Sequence, residues 1–240
     1  MNEVSRIAGM IDHSALHPTL TDEALRQACA VAKEYAVASI CIKPYAVALA
    51  AELLKDSPVK VCTVVGFPHG SSTTHIKVLE TRQACEAGAE EIDMVVNVGK
   101  VLSEDWAYVQ DEIAQIQAEV TAHKAILKVI FETDFVTRED HKIKLCEICS
   151  TVGVAYVKTS TGFGFVKGAD GTYSYQGATE ADLKLMRSHS ASTVGVKASG
   201  GVRTWEAAQK VVALGATRIG ASATEAILTA GQKAPGIEGY

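Results

Sequence analysis

The chain contains 240 residues, of which 48% are hydrophobic and 21% charged, and its 23 basic and 28 acidic side chains give a formal charge of −5. This composition excludes a disordered protein, because the apolar residues suffice to bury a large core. The acidic balance argues against a nucleic-acid partner, and no apolar run approaches the ~18–20 residues of a membrane span.

Eight short runs rich in β-branched residues alternate with amphipathic stretches along the chain, about one pair every 30 residues. The predicted strands cover 7–11, 39–42, 59–65, 90–96, 125–131, 155–158, 193–197 and 217–220. The first predicted helix begins at Thr21 or Asp22, which are N-cap residue types. Further helices are predicted at about 44–55, 73–87, 104–122, 138–151, 179–189, 204–214 and 222–231.

The alternation predicts an α/β fold, and eight such units favour a single (β/α)8 TIM barrel. Glycines such as Gly88, Gly153 and Gly215 stand between a helix and the next strand, as left-handed helix caps do. A doubly wound open sheet is the alternative, but Asp12 and its neighbours follow the first strand in place of a glycine-rich fingerprint. We expect one barrel domain over 1–230 and a flexible tail over 231–240.

Polar side chains close several of the predicted strands, and in a barrel these strand ends face one mouth. They are Asp12, Cys41, Asp93, Lys158 and Lys197. An ordinary lysine, with a pKa of ~10.4, is almost wholly protonated at neutral pH, but a second ammonium nearby favours a neutral, nucleophilic amine. An aspartate can hold the second lysine cationic and move protons. Two lysines on neighbouring strands therefore predict a Schiff-base centre, unless each lysine reaches solvent or pairs with an acid.

A candidate anion site follows the seventh and eighth predicted strands, where barrels commonly bind phosphate. Glycine backbones and helix N-termini suit that role because their N–H groups can approach an anion closely. Ordinary helix entry is the alternative interpretation of these residues. The candidates are Gly162, Ser199, Gly200, Gly201, Gly220 and Ser222, and a long loop over 159–178 adjoins them.

Two segments carry a family resemblance. Residues 157–163 (VKTSTGF) and 196–203 (VKASGGVR) resemble the two lysine motifs of the 2-deoxyribose-5-phosphate aldolase family. The resemblance extends, in order, to the segments 11–13 (IDH), 41–44 (CIKP), 66–70 (GFPHG), 91–95 (EIDMV) and 220–222 (GAS). It therefore covers nearly the whole chain.

The resemblance implies a class I aldolase that needs neither a metal nor another cofactor. Its family reversibly cleaves 2-deoxy-D-ribose 5-phosphate to D-glyceraldehyde 3-phosphate and acetaldehyde in deoxynucleoside catabolism. By this resemblance Lys158 is the Schiff-base nucleophile, Lys197 favours its neutral form, and Asp93 with Lys197 relays protons. Asp12 would support that polar network, and Tyr240 would fold back over the site to assist proton transfer.

The same resemblance assigns Asp12 and Cys41 to the lining of the substrate site, and Thr161 beside Gly162 is a further candidate for contact with substrate or phosphate. Three departures concern phosphate affinity. Phe163 stands where some family members carry a lysine, and Ala223 replaces a serine of the last motif. The loop after Phe163 is longer than expected and contains Lys167, a further candidate for contact with phosphate.

Other functions are less consistent with the sequence. A metal-dependent enzyme would use the histidines, but Pro18 interrupts the pair His13 and His17, and zinc catalysis needs about three ligands. Cys146 and Cys149 lie within a predicted helix, which disfavours a redox or zinc role. A non-catalytic barrel that binds a phosphorylated metabolite, or another Schiff-base aldolase with a related substrate, remains as the alternative function.

The six cysteines and the lack of a signal-peptide pattern predict a cytoplasmic protein with reduced thiols. We expect a small phosphorylated sugar or aldehyde as partner, and neither nucleic acid nor membrane. The oligomeric state is left open, with a homodimer as one option.

Overall fold

A computed structural model describes residues 2–233 as a closed barrel with a small hairpin on one of its loops. The strands are β1 (Ile11–Ala15), β2 (Ser39–Ile42), β3 (Lys60–Val65), β4 (Glu91–Val95), β5 (Ile126–Ile130), β6 (Tyr156–Lys158), β7 (Val166–Lys167), β8 (Tyr173–Ser174), β9 (Gly195–Ser199) and β10 (Arg218–Ala221). All except β7 and β8 are parallel neighbours in the order β1-β2-β3-β4-β5-β6-β9-β10, and β10 pairs with β1. The predicted (β/α)8 barrel is confirmed.

Helices alternate with these strands. They are α1 (Glu3–Ala8), α2 (Asp22–Glu34), α3 (Val47–Leu54), α4 (Thr74–Glu86), α5 (Val98–Leu102), α6 (Trp106–Ala122), α7 (Glu139–Val152), α8 (Glu180–His189), α9 (Trp205–Ala213) and α10 (Thr224–Gln232). None of the helices within residues 2–233 is long and apolar enough to cross a membrane. Residue 231, placed in the tail by the sequence, lies in α10.

The prediction of a strand at 7–11 was wrong. Helix α1 occupies this region, because Asn2 accepts a hydrogen bond from the Ser5 backbone and caps a turn whose apolar side chains are buried. Ile7 is one of those buried side chains. A buried apolar residue occurs in helices as well as in strands, so its hydrophobicity did not distinguish a helix from a strand here. The first strand begins at Ile11, and Asp12 is therefore its second residue rather than the residue that follows it.

Strand β9 is also displaced from its predicted position. The sequence placed a strand at 193–197, whereas β9 extends from Gly195 to Ser199, so Lys197 lies in its middle. The predicted long loop at 159–178 contains the two short strands β7 and β8, which pair as an antiparallel hairpin. Cys146 and Cys149 are buried inside α7, as the sequence indicated.

The barrel determines the depth of each inward-facing side chain. Glu91 and Asp93 are two residues apart on β4, and alternate residues of a strand face the same side. Lys158 is the last residue of β6 and pairs in register with Lys197 of β9. Lys158 therefore ends its strand at the carboxyl-terminal mouth, whereas Glu91, the first residue of β4, lies towards the opposite end of the barrel.

Candidate active site

Asp93 is the centre of the site. Its Oδ2 atom accepts hydrogen bonds from Lys158 Nζ and Lys197 Nζ, each at 2.7 Å. Its Oδ1 atom accepts from Lys128 Nζ at 2.8 Å. Three lysines from three neighbouring strands thus share one buried carboxylate, and two of them meet at the same oxygen.

A deeper layer of ion pairs supports this centre. Asp12 lies 2.5 Å from Lys197 Nζ and 3.3 Å from Lys128 Nζ, and its Oδ1 atom accepts from Arg218 at 2.7 Å. Glu91 lies 2.7 Å from Lys128 Nζ and 3.1 Å from an Arg218 nitrogen. The bases are thereby held between carboxylates along the axis of the barrel.

The pKa values reflect this arrangement. Burial alone would raise the pKa of the Asp93 carboxyl, but Lys128, Lys158 and Lys197 hold it well below its usual value. Burial alone would lower the pKa of the Lys197 ammonium, but the carboxylates of Asp12 and Asp93 outweigh this and raise it. At neutral pH Asp93 is therefore a carboxylate and Lys197 a cation.

The sequence prediction missed three of the seven residues of this network. Lys128 lies in the middle of β5, and Glu91 and Arg218 are the first residues of β4 and β10, so none of them stands at the carboxyl-terminal strand ends where the candidate residues were expected. The signal was nevertheless available, because Lys128 interrupts an apolar run just as Lys158 does. A lone charged residue within a buried strand indicates an ion partner across the barrel.

A cavity of about 280 Å³ opens above Lys158 at the carboxyl-terminal mouth. It brings together residues that the sequence proposed for the substrate site, which are Thr161, Gly162, Ser199, Gly200, Gly201, Gly220 and Ser222. Arg203 also lines this cavity and donates a hydrogen bond to Tyr175 Oη at 3.2 Å. The cavity therefore joins an amine at its base to a polar rim rich in backbone N–H groups.

Helices α9 and α10, which follow the two loops at the rim, differ in how their N-termini are capped. Helix α9 is capped by its own Thr204, whose side chain accepts from the Ala207 backbone. Among the described residues, helix α10 has no side-chain cap at Ala223, and Ser222 just before it lines the cavity. The open N-terminus of α10 is thus the better anion-binding end.

Gly200 has a structural reason to be glycine in addition to its candidate binding role. Its φ of +94° lies in the left-handed region, and a Cβ atom there would approach the Gly177 Cα to 2.8 Å. The Ala178 N–H also donates to the Gly200 carbonyl at 3.1 Å. This close approach fixes the loop after β9 against the end of the loop after β6.

One wall of the site is apolar. Leu16 and Phe163 line the cavity. Cys41, which the resemblance assigned to the lining of the substrate site, is fully buried in a cluster with Leu16 and does not line the cavity. The rings of Phe67 and Phe163 pack against that cluster. The two rings meet edge to face with centroids 5.5 Å apart. Phe163 therefore contributes a hydrophobic wall at the position where some relatives of the resembled family have a lysine. Lys167 lies on β7, with an exposed side chain, and does not line the cavity.

Glu132 is a further buried acid beside the site that the sequence prediction did not select. Its carboxylate accepts from Thr161 Oγ1 and, at 3.3 Å, from the Thr161 backbone N–H. Burial raises the pKa of Glu132 to about 7, although the hydrogen bonds from Thr161 oppose the rise. Glu132 directly follows the Ile126–Phe131 segment, so inspection of every strand end would have found it.

A Glu132→Gln variant is expected to be more stable than the parent at pH 8 and no more stable at pH 5. The pKa rises from 4.5 to about 7 on folding, so the folded state retains a proton that the unfolded chain loses in this interval. Stability therefore falls as pH rises through this window, by about 3 kcal/mol. Glutamine keeps an oxygen for Thr161 without the charge.

Thermal unfolding at the two pH values measures this effect, with Glu90→Gln at an exposed position as the control. A difference in Tm between parent and Glu132→Gln that stays the same at both pH values would contradict it.

Side chains of metal-ligating type also lie together in the barrel. The ligand atoms of Cys41, Cys62 and Asp93 are within 4.8 Å of one another. However, Lys128 Nζ donates to Cys62 Sγ at 3.1 Å and to Asp93, so an ammonium already occupies the position that a cation would need. This cluster is therefore better suited to proton chemistry than to metal binding.

The proposed role of Tyr240 concerns a residue outside the described part of the chain.

Comparison with known proteins shows which family this chain resembles. Residues 6–231 match the model of the DeoC/LacD family of aldolases. A deoxyribose-phosphate aldolase of Clostridium perfringens is 47% identical over 222 residues, which is 92% of this chain and 94% of that protein.

Two solved structures show the same fold. One, described as a putative deoxyribose-phosphate aldolase from Coccidioides immitis, superposes with a TM-score of 0.87 at 37% identity, covering 96% of this chain and 87% of that one. The deoxyribose phosphate aldolase from Aeropyrum pernix, described as having a unique tetrameric structure, superposes with a TM-score of 0.85 at 27% identity. The match covers 97% of this chain and 93% of that one. The chain therefore belongs to the DeoC/LacD family of aldolases.

Proposed function

We propose that this protein is a Schiff-base aldolase that reversibly cleaves 2-deoxy-D-ribose 5-phosphate to D-glyceraldehyde 3-phosphate and acetaldehyde. The observation that carries the proposal is the position of Lys158, whose amine lies at the base of the cavity and shares one oxygen of Asp93 with Lys197. The names of the relatives from Clostridium perfringens and Aeropyrum pernix agree with this substrate.

In the first step the neutral amine of Lys158 attacks the C1 aldehyde of the open-chain sugar. The carbinolamine then loses its hydroxyl group as water and becomes an iminium ion. Lys197 is held cationic between two carboxylates, so it can supply the proton that the leaving oxygen needs. Asp93 contacts both amines and is placed to return that proton.

In the second step the C3 hydroxyl group loses its proton, and the C3–C2 bond breaks to release D-glyceraldehyde 3-phosphate. The bonding electrons move into the iminium ion and leave an enamine on Lys158. Protonation of the enamine carbon and hydrolysis of the resulting iminium ion release acetaldehyde and restore the amine. We propose Asp93 and Lys197, which are hydrogen-bonded to each other, as the base and acid of these transfers.

The polar rim is suited to the phosphate of the substrate. The uncapped N-terminus of α10 and the glycines after β9 present backbone N–H groups, and Arg203 adds a positive charge. Phe163 supplies no charge, so phosphate affinity would depend on the backbone and on Arg203. We place the aldehyde end at Lys158 and the phosphate end at this rim.

The proposed reaction is tested by incubating the protein with 2-deoxy-D-ribose 5-phosphate and following both products with coupled dehydrogenases. We expect acetaldehyde and D-glyceraldehyde 3-phosphate to appear in equal amounts and the rate to be unchanged by EDTA. Binding without turnover would indicate the alternative, a barrel that only binds a phosphorylated metabolite. Turnover of a different aldol and not this one would indicate another Schiff-base aldolase.

A Ser222→Asp variant is expected to raise the KM for 2-deoxy-D-ribose 5-phosphate about tenfold or more, with little change in kcat. The new carboxylate would repel the phosphate and would itself occupy the N-terminus of α10. The KM for unphosphorylated 2-deoxy-D-ribose should not change. Ser222→Asn is the uncharged control, and an equal rise of KM for both sugars would contradict a phosphate site at this helix.

The expected cytoplasmic location stays a prediction, as does the absence of a cofactor, and a homodimer stays one option for the oligomeric state. The single domain over 1–230 is proposed on the sequence pattern alone, and of the tail predicted over 231–240, residues 231 and 232 belong to α10 while residues 234–240 lie outside the described part of the chain. A role for Tyr240 is likewise a proposal, and removal of that residue alone would test it by the rate of enamine protonation.

A further inference from the structure

The ion network inside the barrel has unequal numbers of acids and bases. Among the described residues it contains three carboxylates and four bases, joined by contacts of 2.5–3.3 Å. The carboxylates are Asp12, Glu91 and Asp93, and the bases are Lys128, Lys158, Lys197 and Arg218. With every group ionised, this buried network would carry one uncompensated positive charge, which is unfavourable away from water.

The contacts show which base lacks compensation. Lys128 contacts all three carboxylates, and Lys197 contacts two of them. Arg218 also contacts two. Lys158 contacts Asp93 alone, at the oxygen that Lys197 also uses. The excess charge is therefore relieved most easily at Lys158.

We propose that Lys128 and Glu91 are positioning residues that set the charge balance of the network and thereby keep Lys158 as a neutral amine. Neither side chain lines the cavity, so neither is placed to touch substrate. Lys128 supplies the extra cation, and Glu91 compensates part of it. The inference rests on the proposed function, because it concerns the amine that the aldol reaction uses.

Other titratable groups face the network from the neighbouring strands. On β2 and β3 these are the thiols of Cys41 and Cys62, and burial raises the pKa of Cys62 well above its ordinary value. A hydrogen bond from Cys62 lowers the pKa of Cys41, although burial opposes this, so Cys41 is the thiol that needs a control. After β5 lies Glu132, which bonds Thr161, and on β6 the ring of Tyr156 lies 5.1 Å from the Arg218 guanidinium.

The inference is tested by the pH dependence of kcat/KM, whose acid limb reports the essential base of the free enzyme. In Lys128→Met three bases face three carboxylates, so Lys158 keeps its proton more strongly. The acid limb should move to higher pH by on the order of one unit. In Glu91→Gln four bases face two carboxylates, and the limb should move to lower pH.

The opposite directions separate this effect from structural damage. Loss of either member of the Lys128–Glu91 pair breaks the same contact, so a purely structural role would lower activity at every pH and leave both limbs in place. The double variant Lys128→Met/Glu91→Gln should return the limb toward its original position. It also removes the Glu91 carboxylate, which Lys128→Met leaves with Arg218 alone, so it serves if Lys128→Met does not fold. The whole series is repeated in a Cys41→Ser background.

Three results would overturn the inference. The first is an acid limb that stays in place in both single variants, and the second is an acid limb that moves in the same direction in both. The third is a double variant whose acid limb is displaced as far as that of Lys128→Met. The proposed function fails separately. If the unaltered protein neither cleaves the sugar phosphate nor forms a borohydride-trapped adduct, the aldolase assignment is wrong whatever these variants do.

Discussion

Replacing Lys158 by leucine is expected to abolish aldol cleavage, by ~10⁴-fold or more, together with trapping of acetaldehyde by borohydride. No other described amine combines a position at the base of the cavity with contact to Asp93 and a place at the end of its strand. The fold should persist. Leucine suits a site that is 2% exposed, and loss of this base leaves three bases facing three carboxylates.

The matched control is Lys167→Leu, which removes an exposed lysine from strand β7, in the loop that follows β6. It should still form the trapped adduct and retain kcat. Circular dichroism and thermal unfolding of both variants show whether the fold is intact. Full activity in Lys158→Leu, with the fold intact, would exclude Lys158 as the nucleophile.

The second large effect is expected for Asp93→Asn, with kcat lower by ~10²–10⁴-fold. Asparagine has nearly the same shape, but it cannot accept a proton or hold Lys197 as a cation. Because three lysines contact this carboxylate, its loss should also destabilise the fold by ~3–5 kcal/mol. The variant is therefore assayed below its own unfolding temperature.

The control for this variant is Glu90→Gln, which removes an exposed carboxylate next to β4 that pairs with Lys60 at 2.6 Å. Little change in kcat or Tm is expected there, as for most surface ion pairs. If Asp93→Asn lowers Tm but keeps kcat, Asp93 has a structural role and another group must move the protons.

The sequence predicted the fold and the central residues because both follow from local patterns. The strand and helix alternation is a property of residue order, and eight units of similar length favour a closed barrel. Lysines at 158 and 197 are conspicuous because charge is costly in a buried strand. They stand side by side because β6 and β9 pair in parallel register, and Asp93 contacts both lysines from β4, which is adjacent to neither strand.

The residues that escaped prediction depend on contacts between distant parts of the chain. Lys128 looked like a single charge in a strand, and only the barrel places it against Asp12 and Glu91 from two other strands. Glu132 depends on the path of the loop after β6, which brings Thr161 to it. Helix α1 was missed because six residues provide too little periodicity to separate a helix from a strand.

The proposal that Lys158 forms the Schiff base is tested most directly by mass spectrometry after borohydride trapping with acetaldehyde. The protein is incubated with the aldehyde, reduced, digested and sequenced, in the presence and absence of EDTA. We expect one ethyl group on Lys158, formed equally in both samples. An adduct on Lys197 or Lys167 with Lys158 unmodified would contradict the assignment of the nucleophile and the mechanism built on it.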